Sequence, residues 1–314
     1  MKTVKEDVER AVMIPMNHPI KVVKMHEPKI QQLSVLYNNL RNVDISDFII
    51  GEKIGGGGFS RIYEGKLDGE TVAIKAALKE GRKSIHKELQ IYDNIKHPNI
   101  LQALGYHLAV DDLLFLPMRK FNLSEYFMNY NSIIENSQLI KYCIQITDAV
   151  KYLHQTNIIH CDLKTDNILV KDDKGTEIEI TDFGCAVDLT RDNATRFNGT
   201  KTHMAYELLK SMYSPNPVNF RGTKATDVWA YAITIWQIFS KTEFLPCDFI
   251  KTELIIDNYE KGKKLPKPQE MPEKLWKYVF LQCFDLDPSG RPSMNEIYER
   301  IQKQLSLATV TNNK

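Results

Sequence analysis

The segment that most constrains this chain is a polar loop that precedes a short apolar strand. It reads His160-Cys161-Asp162-Leu163-Lys164-Thr165-Asp166-Asn167, and Asp182-Phe183-Gly184 follows after the strand and a turn. A carboxylate at Asp162 can orient an acceptor hydroxyl and take its proton, and a cation at Lys164 can lie beside a moving phosphate. Asn167 and Asp182 offer the hard oxygen ligands that Mg²⁺ prefers. The loop therefore predicts a phosphoryl-transfer site.

A glycine run lies upstream between two stretches of strand-like composition. Phe48–Ile54 leads into Gly55-Gly56-Gly57-Gly58-Phe59-Ser60-Arg61-Ile62-Tyr63. Glycines let the main chain approach a triphosphate closely and turn its N–H groups toward the phosphate oxygens. A glycine run is more often a flexible linker, but β-type sequence on both sides argues against a linker here. We expect a hairpin tip over phosphates.

A third signal is the apolar strand Val72-Ala73-Ile74-Lys75, which ends in a lysine. A lysine in this position is costly unless a negative group meets it. A surface lysine at a strand end is the alternative, and it would be favoured if the strand stood alone. The order of the three motifs along the chain favours the functional interpretation.

Together these motifs resemble those of the eukaryotic-type protein kinases, which carry H-R-D-x-K-x-x-N, D-F-G and G-x-G-x-x-G-x-V. The resemblance extends from about residue 51 to about residue 293. Within the kinases it indicates a serine/threonine-specific member, similar to the tyrosine-kinase-like group, with a non-RD catalytic loop. The chain departs from the family pattern at four positions, which are Ser60 for glycine, Ile62 for valine, Cys161 for arginine and Tyr206 for proline.

The resemblance assigns roles to individual residues. Asp162 is the base, and Lys164 and Thr200 belong to the catalytic set. Lys75 contacts the α- and β-phosphates of ATP and pairs with Glu88, whose position is counted back from His97-Pro98-Asn99-Ile100. Mg²⁺ is held by Asn167 and Asp182. The resemblance implies that ATP is bound by Ile54, Gly55, Gly56, Gly57, Gly58, Phe59, Ile62, Ala73, Lys75, Pro117, Arg119 and Leu169.

Within that set, the resemblance places the adenine at the connection Leu116-Pro117-Met118-Arg119-Lys120. If Leu116 is the family's gatekeeper residue, the family uses the next residue only through its carbonyl. A proline, which has no N–H group, therefore loses nothing at position 117. Arg119 then supplies the N–H group to the ring, and Ile62, Ala73 and Leu169 sandwich the purine.

The resemblance also predicts structural contacts in the C-terminal half. The segment Gly199–Glu207 matches the substrate-binding segment that ends in A-P-E in the family, and its Glu207 is expected to pair with Arg291. Asp227 in Asp227-Val228-Trp229 is expected to tie the catalytic loop to a core helix. Trp229 and Trp236 are seven residues apart on this helix and are predicted to be core.

Composition and charge limit the classes of partner that the chain is expected to have. The chain has 314 residues with 41 basic and 40 acidic side chains, a net charge of +1, which implies no nucleic-acid or membrane partner. The longest apolar run, Ala230–Trp236, is too short to span a bilayer, and Met1–Asp7 lacks a signal-peptide apolar region. Five scattered cysteines suggest neither a zinc site nor a disulfide framework. We expect an intracellular, cytoplasmic protein whose oligomeric state the sequence leaves open.

The predicted fold class is α+β, with the bilobal protein kinase architecture. The expected domains are an N-terminal extension (1–44), a small β-rich N-lobe (45–118), a larger α-helical C-lobe (119–308) and a tail (309–314). A short amphipathic helix is expected from Pro28, with Leu40 on its apolar face. Further helices are predicted at Ser84–Ile95, Asn122–Tyr130, Gln138–Thr156, Asp227–Ser240, Glu273–Phe284 and Met294–Leu307.

The expected activity is transfer of the ATP γ-phosphoryl group to serine or threonine hydroxyls of proteins. A pseudokinase scaffold that binds nucleotide or partners without catalysis is the alternative, and a small-molecule kinase is a weaker third hypothesis. Cys161 has no guanidinium group with which to bind a phosphate. Phosphorylation of Thr190 or Thr195 is therefore not expected to be required for basal activity. Regulation would then come from elsewhere, such as the N-terminal extension.

Overall fold

The described chain folds into two compact units, which divide mainly at Arg119. The computed structural model describes residues 37–109, 111–191, 199–214, 221–242 and 244–312. The first unit comprises the described residues up to Lys96 together with Leu101–Arg119. The second comprises His97–Ile100 and the described residues from Lys120 onward. The predicted amphipathic helix from Pro28 falls mostly outside the described residues, and Leu40, its one described apolar position, lies in a bend.

The first unit is built on an antiparallel sheet with the strand order β1-β2-β3-β5-β4. The turn between β2 and β3 is Asp68-Gly69, and both residues have positive φ, at 51° and 87°. Such a pair suits the two-residue hairpin turn whose twist matches that of the flanking strands. The strands are β1 (Phe48–Gly56), β2 (Ser60–Leu67), β3 (Glu70–Ala77), β4 (Gly105–His107) and β5 (Leu113–Pro117).

One face of this sheet carries the apolar core of the first unit. Because side chains alternate between the faces of a strand, the buried set shares one parity along each strand. The cluster contains Val43, Tyr63, Leu67, Val72, Ile74, Leu113 and Phe115. A single α-helix of the described part of this unit, α1 (Arg82–Tyr92), and the 3₁₀ turns Ile45–Asp47 and Lys79–Gly81 complete it.

The second unit is mainly helical and is built around one buried helix. Nearly every side chain of α5 from Thr226 to Phe239 is buried, including Trp229 and Trp236, as predicted. Its N-terminus is capped by reciprocal bonds between Thr223 and Thr226. The α-helices are α2 (Leu123–Tyr130), α3 (Asn136–Gln155), α4 (Tyr206–Met212), α5 (Lys224–Ser240), α6 (Thr252–Glu260), α7 (Glu273–Leu275) and α8 (Met294–Asn312).

Short strands and turns hold the loops of the second unit. Strand β6 (Ile158–Ile159) pairs with β9 (Val187–Asp188), and β7 (Ile168–Val170) pairs with β8 (Ile178–Ile180). The 3₁₀ turns are Asn131–Ile133, Thr165–Asn167, Phe183–Cys185, Lys201–His203, Cys247–Phe249, Leu281–Phe284 and Pro288–Gly290.

Several helix predictions differ from the structure. The predicted Glu273–Phe284 helix is an α-helical start that passes into the π-helical turn Trp276–Phe280 and then a 3₁₀ turn. Helices α4 and α6 were not predicted, because each is short and its apolar positions span too few turns to give a helical period. The other helices predicted from Ser84 onward are present; three of their ends match the prediction, and the others are shifted by one to five residues.

The predicted α+β class is confirmed, with an antiparallel sheet in the first unit and a helical second unit. Among the described helices, none has the length and apolar character needed to cross a bilayer.

Candidate active site

Four predicted ATP-binding residues of the first unit, Gly55, Ile62, Ala73 and Lys75, share one face of its sheet. Ile62 pairs across the strands with Lys75, and Gly55 pairs with Ile62. Ala73 is two residues before Lys75 and therefore points to the same side. This face is the one opposite the apolar core cluster, so these positions are not occupied by core packing.

The predicted glycine loop forms the tip of the β1–β2 hairpin. Gly57, Gly58 and Phe59 connect the strands, and the Gly57 N–H group donates to the Ser60 carbonyl at 2.9 Å. Gly56 has φ of 138°, a conformation that only glycine adopts without strain. An added Cβ at Gly57 or Gly58 would meet no other atom, whereas one at Gly56 would press on the Ser60 carbonyl. Main chain is therefore exposed at the tip, as close approach of a phosphate requires.

Lys75 and Glu88 form a buried ion pair. The Nζ–Oε1 distance is 2.5 Å, and 11% of the Lys75 side chain and none of the Glu88 side chain is exposed. Glu88 lies in the buried stripe of α1 with Ile85, Leu89 and Tyr92. A carboxylate in an apolar stripe is stable only with a partner, and breaking such a pair costs about 3–5 kcal/mol. The pairing predicted from the sequence is present.

In the second unit, Asp227 on α5 holds the start of the loop His160–Asn167 by hydrogen bonds. Its Oδ2 accepts the His160 N–H group at 2.7 Å, and its Oδ1 accepts the Cys161 N–H group at 2.8 Å. His154 Nε2 also lies 3.1 Å from Oδ2. Cys161 has φ of 67°, a left-handed conformation that costs free energy and that these two bonds hold in place. The predicted tie between loop and core helix is formed.

His154 is a residue of this network that the sequence analysis did not identify. It lies in the last turn of α3, and its ring reaches Asp227 from a helix 73 residues away in sequence. No local motif signals such a contact. A histidine at the end of an amphipathic helix is ordinarily interpreted as surface or core.

Asp162 is at the centre of a hydrogen-bond network. Its Oδ1 accepts the Thr200 N–H group at 2.8 Å and the Thr200 hydroxyl at 2.7 Å. Lys164 Nζ donates to that hydroxyl at 3.0 Å and lies 3.4 Å from Asp162 Oδ2. The three residues predicted as a catalytic set in this unit, Asp162, Lys164 and Thr200, are therefore brought together.

Asn167 orients its amide through two donated bonds. Its Nδ2 donates to the Asp162 backbone carbonyl at 2.8 Å and to Asp162 Oδ2 at 3.1 Å. Because the NH₂ group faces Asp162, the amide oxygen faces away from it. The Asn167 backbone carbonyl accepts the Thr181 N–H group at 3.0 Å, so Asn167 lies beside the residue that precedes Asp182. Amide and carboxylate oxygens are donors of the kind that Mg²⁺ takes, with water and phosphate completing its shell. The described residues contain no cluster of three or more acidic, histidine or cysteine ligands.

The Asp182-Phe183-Gly184 loop is held by His160 and by its own carboxylate. Asp182 has φ of 66°, and its Oδ1 accepts the Gly184 N–H group at 3.3 Å. His160 Nδ1 accepts the Asp162 N–H group, so its Nε2 carries the proton and donates to the Thr181 carbonyl at 3.1 Å. The buried Phe183 ring lies 5.1 Å from the His160 ring. The histidine thus joins the Asp162 loop to the Asp182 loop.

The segment after Thr200 is anchored by two buried contacts. Arg291 pairs bidentately with Glu207, with its closest N–O distance at 2.6 Å, so the ion pair predicted from the sequence is present. His203 Nε2 bonds to Gln237 Oε1 on α5 at 2.9 Å. Burial lowers the pKa of His203 below its ordinary value, so the neutral ring is favoured. Two contacts to the core therefore set the path of this segment.

The predicted adenine-binding residues are divided between the two units. In the first unit, Pro117 ends β5 opposite Val72, and the Arg119 guanidinium donates to the Met118 carbonyl at 3.3 Å. In the second unit, Leu169 lies in β7 opposite Glu179 and is partly exposed. Their roles toward adenine stay predictions.

Comparison with known proteins agrees with this fold and these loops. Residues 48–301 match the family described as "Protein tyrosine and serine/threonine kinase". The chain is 28% identical over 298 residues to the "Tyrosine-protein kinase transforming protein Abl" of Abelson murine leukemia virus, covering 92% of this chain and 38% of that protein.

Two further relatives differ in the activity that their names state. The "Probable serine/threonine-protein kinase drkA" of Dictyostelium discoideum is 28% identical over 272 residues, 83% of this chain and 40% of that protein. The "Inactive tyrosine-protein kinase kin-32" of Caenorhabditis elegans is 28% identical over 265 residues, 80% of this chain and 29% of that protein. The chain thus spans 29 to 40% of the length of these three relatives.

A sheet unit with a glycine-rich hairpin tip and a helical unit with these two loops are the two parts of a protein kinase catalytic domain. The chain belongs to the protein tyrosine and serine/threonine kinase family. Protein kinases use ATP and Mg²⁺ and act on protein substrates.

Proposed function

We propose that this chain transfers the γ-phosphoryl group of ATP to serine or threonine hydroxyls of proteins. The proposal rests on the contacts of the Asp162 carboxylate, which accepts the Thr200 hydroxyl at 2.7 Å. The Lys164 ammonium nitrogen lies 3.0 Å from the oxygen of that hydroxyl. An acceptor serine needs the same two partners, a carboxylate for its proton and a cation beside the incoming phosphoryl group.

The second unit supplies the groups that act on the acceptor. Asp162 orients the acceptor hydroxyl and takes its proton, and Lys164 offsets the charge that develops on the phosphoryl oxygens. Asn167 and Asp182 would hold Mg²⁺, which neutralises phosphate charge when bound. The Asn167 amide also fixes the Asp162 side chain, so the base is oriented before substrate arrives.

The first unit supplies the groups that bind ATP. Lys75 contacts the α- and β-phosphates while Glu88 holds its ammonium group in place. The glycine tip turns main-chain N–H groups toward the phosphates, and Ile62 and Ala73 contribute apolar surface for the purine. In the same proposal Pro117 and Arg119 bind the adenine edge through their backbone, and Leu169 is a further apolar residue assigned to the purine.

Selection of serine and threonine rests on the contacts of Lys164 and Thr200. Both contact Asp162. In this proposal they shape a shallow acceptor site, which would suit a short hydroxyl side chain better than a phenol. Relatives include enzymes of both specificities, so acceptor choice is the finer part of the proposal.

Substitution of the phosphate and metal ligands tests the activity. Lys75→Met and Asp182→Ala should each lower ³²P transfer from ATP by at least about a hundredfold, because the first removes a cation at the phosphates and the second removes a carboxylate proposed to hold Mg²⁺. Matched controls are Lys66→Met, an exposed lysine bonded to Thr71, and Asp173→Ala in an exposed turn. Both controls should transfer phosphate at the wild-type rate. Equal transfer by wild type and both site variants would favour the pseudokinase alternative.

Phosphoamino-acid analysis tests the acceptor. A protein mixture treated with this chain should contain phosphoserine and phosphothreonine. Predominant phosphotyrosine would end the proposed specificity while leaving the phosphotransferase activity in place.

A further inference from the structure

One non-helical segment of the first unit makes hydrogen bonds both to its helix and to its sheet. Residues Tyr37–Val43, here called the strap, precede the first strand and run beside β4. The Val43 N–H group donates to the Tyr106 carbonyl at 2.8 Å, and the Tyr106 N–H group donates to the Arg41 carbonyl at 2.9 Å. The strap therefore adds a short bridge, Asn42 to Tyr106, at the edge of the sheet.

The same strap is bound to the C-terminal end of α1 by Asp93. The two Asp93 carboxylate oxygens accept the Asn38 N–H group at 3.1 Å and the Asn39 N–H group at 2.6 Å. The Asn39 side chain returns a bond from Nδ2 to the Asp93 carbonyl at 2.7 Å. The two bonds to the carboxylate have a charged acceptor, so each of them is stronger than a bond between neutral groups.

Tyr37 makes a second contact to α1, in the middle of the helix. Its hydroxyl lies 3.0 Å from His86 Nδ1, and His86 Nε2 lies 3.0 Å from Asp112 in the turn before β5. The ring is 4% exposed and packs edge-on against Tyr106 at 4.9 Å. Burial, with the nearby Tyr106, Asp112 and Asp93, raises the pKa of the Tyr37 phenol, so the hydroxyl stays protonated and can donate to His86.

The geometry of α1 places these contacts on the side away from Glu88. His86 and Glu88 are two residues apart, which is about 200° around a helix of 3.6 residues per turn. The strap thus holds one side of the helix while Glu88 on the other side meets Lys75. The N-terminus of α1 has no side-chain cap, and a helix of 11 residues is marginal by itself. Its position therefore depends on contacts such as those of the strap.

We propose that the strap is a positioning element that holds α1 where Glu88 reaches Lys75, and that its release from Asp93 and His86 lowers phosphoryl transfer. The effect on transfer rests on the proposed kinase function. Asp93, Tyr37 and His86 are positioning residues, because they act on the phosphate site only through α1.

Substitution of Asp93 in the full chain tests the inference by hydrogen exchange. Asp93→Ala should speed exchange of the α1 amides about tenfold, while exchange in α3 of the second unit stays unchanged. Asp93→Glu, which keeps a carboxylate, should restore most of the protection. Tyr37→Phe keeps the buried ring and removes only the bond to His86, so it should give a smaller change in the same direction. Unchanged α1 exchange in both Asp93→Ala and Tyr37→Phe would overturn the proposal.

The matched control within the strap is Arg41→Ala. The Arg41 side chain bonds to Asp47 and Asp68 on the exposed side and makes no hydrogen bond or ion pair with the described residues of α1, so its loss should leave α1 exchange and transfer unchanged. Equal effects of Arg41→Ala and Asp93→Ala would show that the strap acts only on general stability of the unit.

A double-mutant cycle with Glu88 separates positioning from general stability. Asp93→Ala should lower transfer about tenfold in the wild-type background and less than about twofold in a Glu88→Gln background, because the pair it positions is already lost. Additive losses would overturn the proposed route through Glu88. Wild-type protein that transfers no phosphate would instead overturn the proposed function, and the exchange measurements would still decide whether the strap positions α1.

Discussion

Two aspartates perform the same task in the two units under different conditions. Asp227 in the second unit and Asp93 in the first each accept two consecutive backbone N–H groups with one carboxylate. Asp227 is 1% exposed and binds His160 and Cys161, which are themselves buried. Asp93 is 8% exposed and binds Asn38 and Asn39, which are exposed.

The difference indicates which contact can open. Release of the catalytic loop from Asp227 would leave a charge and two N–H groups without water, and each buried unsatisfied group costs about 1–3 kcal/mol. Release of the strap from Asp93 exposes groups that are already close to solvent, so water replaces most of what is lost. The loop before Asp162 is thus expected to stay bound to Asp227, while the helix that carries Glu88 is held by a contact that opens at a lower cost.

The largest expected effect comes from the buried ion pair of the second unit. Arg291→Met keeps a long side chain over Trp229 but leaves the Glu207 carboxylate without its partner, at a cost of about 3–5 kcal/mol. Denaturant unfolding followed by tryptophan fluorescence measures this, because all three tryptophans, Trp229, Trp236 and Trp276, lie in the second unit. Arg41→Met, which breaks exposed pairs in the first unit, should leave global stability unchanged. A comparable loss in both variants would break the comparison.

The next effect concerns the two aspartates directly. Asp227→Asn replaces an acceptor oxygen by an NH₂ group opposite a buried N–H group, and we expect a loss of about 3 kcal/mol in unfolding free energy with loss of transfer. Asp93→Asn makes the same chemical change at an exposed segment and should cost less stability. Unfolding of both variants by urea, followed by circular dichroism, gives the two values. Equal costs would show that burial does not distinguish the two contacts.

The sequence predicted much of this site because its chemistry is local. The loop with Asp162, Lys164 and Asn167 is contiguous, and Asp182 follows one short hairpin later, so a short motif contains the groups that meet. Lys75 and Glu88 could be paired only through the family resemblance, yet a glutamate in the buried stripe of α1 is a signal in its own right.

The strap and the helix ends could not be predicted in this way. Asn38 and Asn39 meet a residue more than 50 positions away, and nothing in their sequence marks them as partners of Asp93. The π-helical turn at Trp276–Phe280 keeps the apolar pattern of an α-helix, so periodicity alone does not reveal it. Such features are decided by tertiary packing.

Acid should weaken the second unit before the first. The folded-state pKa of His203 lies below its ordinary 6.5 because the ring is buried, so the unfolded chain binds its proton first as pH falls. Stability is therefore complete above about pH 6.5 and is lost below it by up to about 1.4 kcal/mol per pH unit. Asp112 in the first unit also loses its contribution as pH falls, but in a lower pH range. Burial raises its pKa, but the bonds from His86 and Arg82 outweigh burial and lower it, so its contribution is lost only below its ordinary 3.8.

Tryptophan-detected unfolding at pH 7 and pH 5.5 measures this dependence. His203→Gln, which keeps a polar side chain against Gln237 but does not titrate, should flatten the slope between these two values. An equal slope in wild type and variant would show that other groups control the acid response.

A smaller effect is expected from Thr190 and Thr195, which lie between Asp182 and Glu207. Cys161 lies in an apolar cluster with Ile159 and Val187 and offers no guanidinium for a phosphate to neutralise. The Thr190 hydroxyl donates to Asp188 at 2.6 Å, so it has a local role without modification. A Thr190→Ala/Thr195→Ala double variant should keep transfer within about tenfold of wild type, a barrier change near 1.4 kcal/mol. Thr195 lies outside the described residues. A thousandfold loss with unchanged ATP binding would show that a basic residue elsewhere requires a phosphate.

The smallest effect is expected where the chain departs from the family at Tyr206. Tyr206 is the first residue of α4, a position where the backbone N–H group has no intrahelical partner and proline fits without strain. Its hydroxyl donates to Glu260 at 2.8 Å on the exposed surface, beside Lys210. Tyr206→Pro removes that surface contact but keeps the Glu207 pair with Arg291, so the melting temperature should stay within about 2 °C of wild type. Tyr206→Phe, which removes only the hydroxyl, is the matched control. A drop of more than about 8 °C in the proline variant alone would mean that α4 needs the Tyr206 N–H group, and that this segment is held by local bonds as well as by its buried anchor.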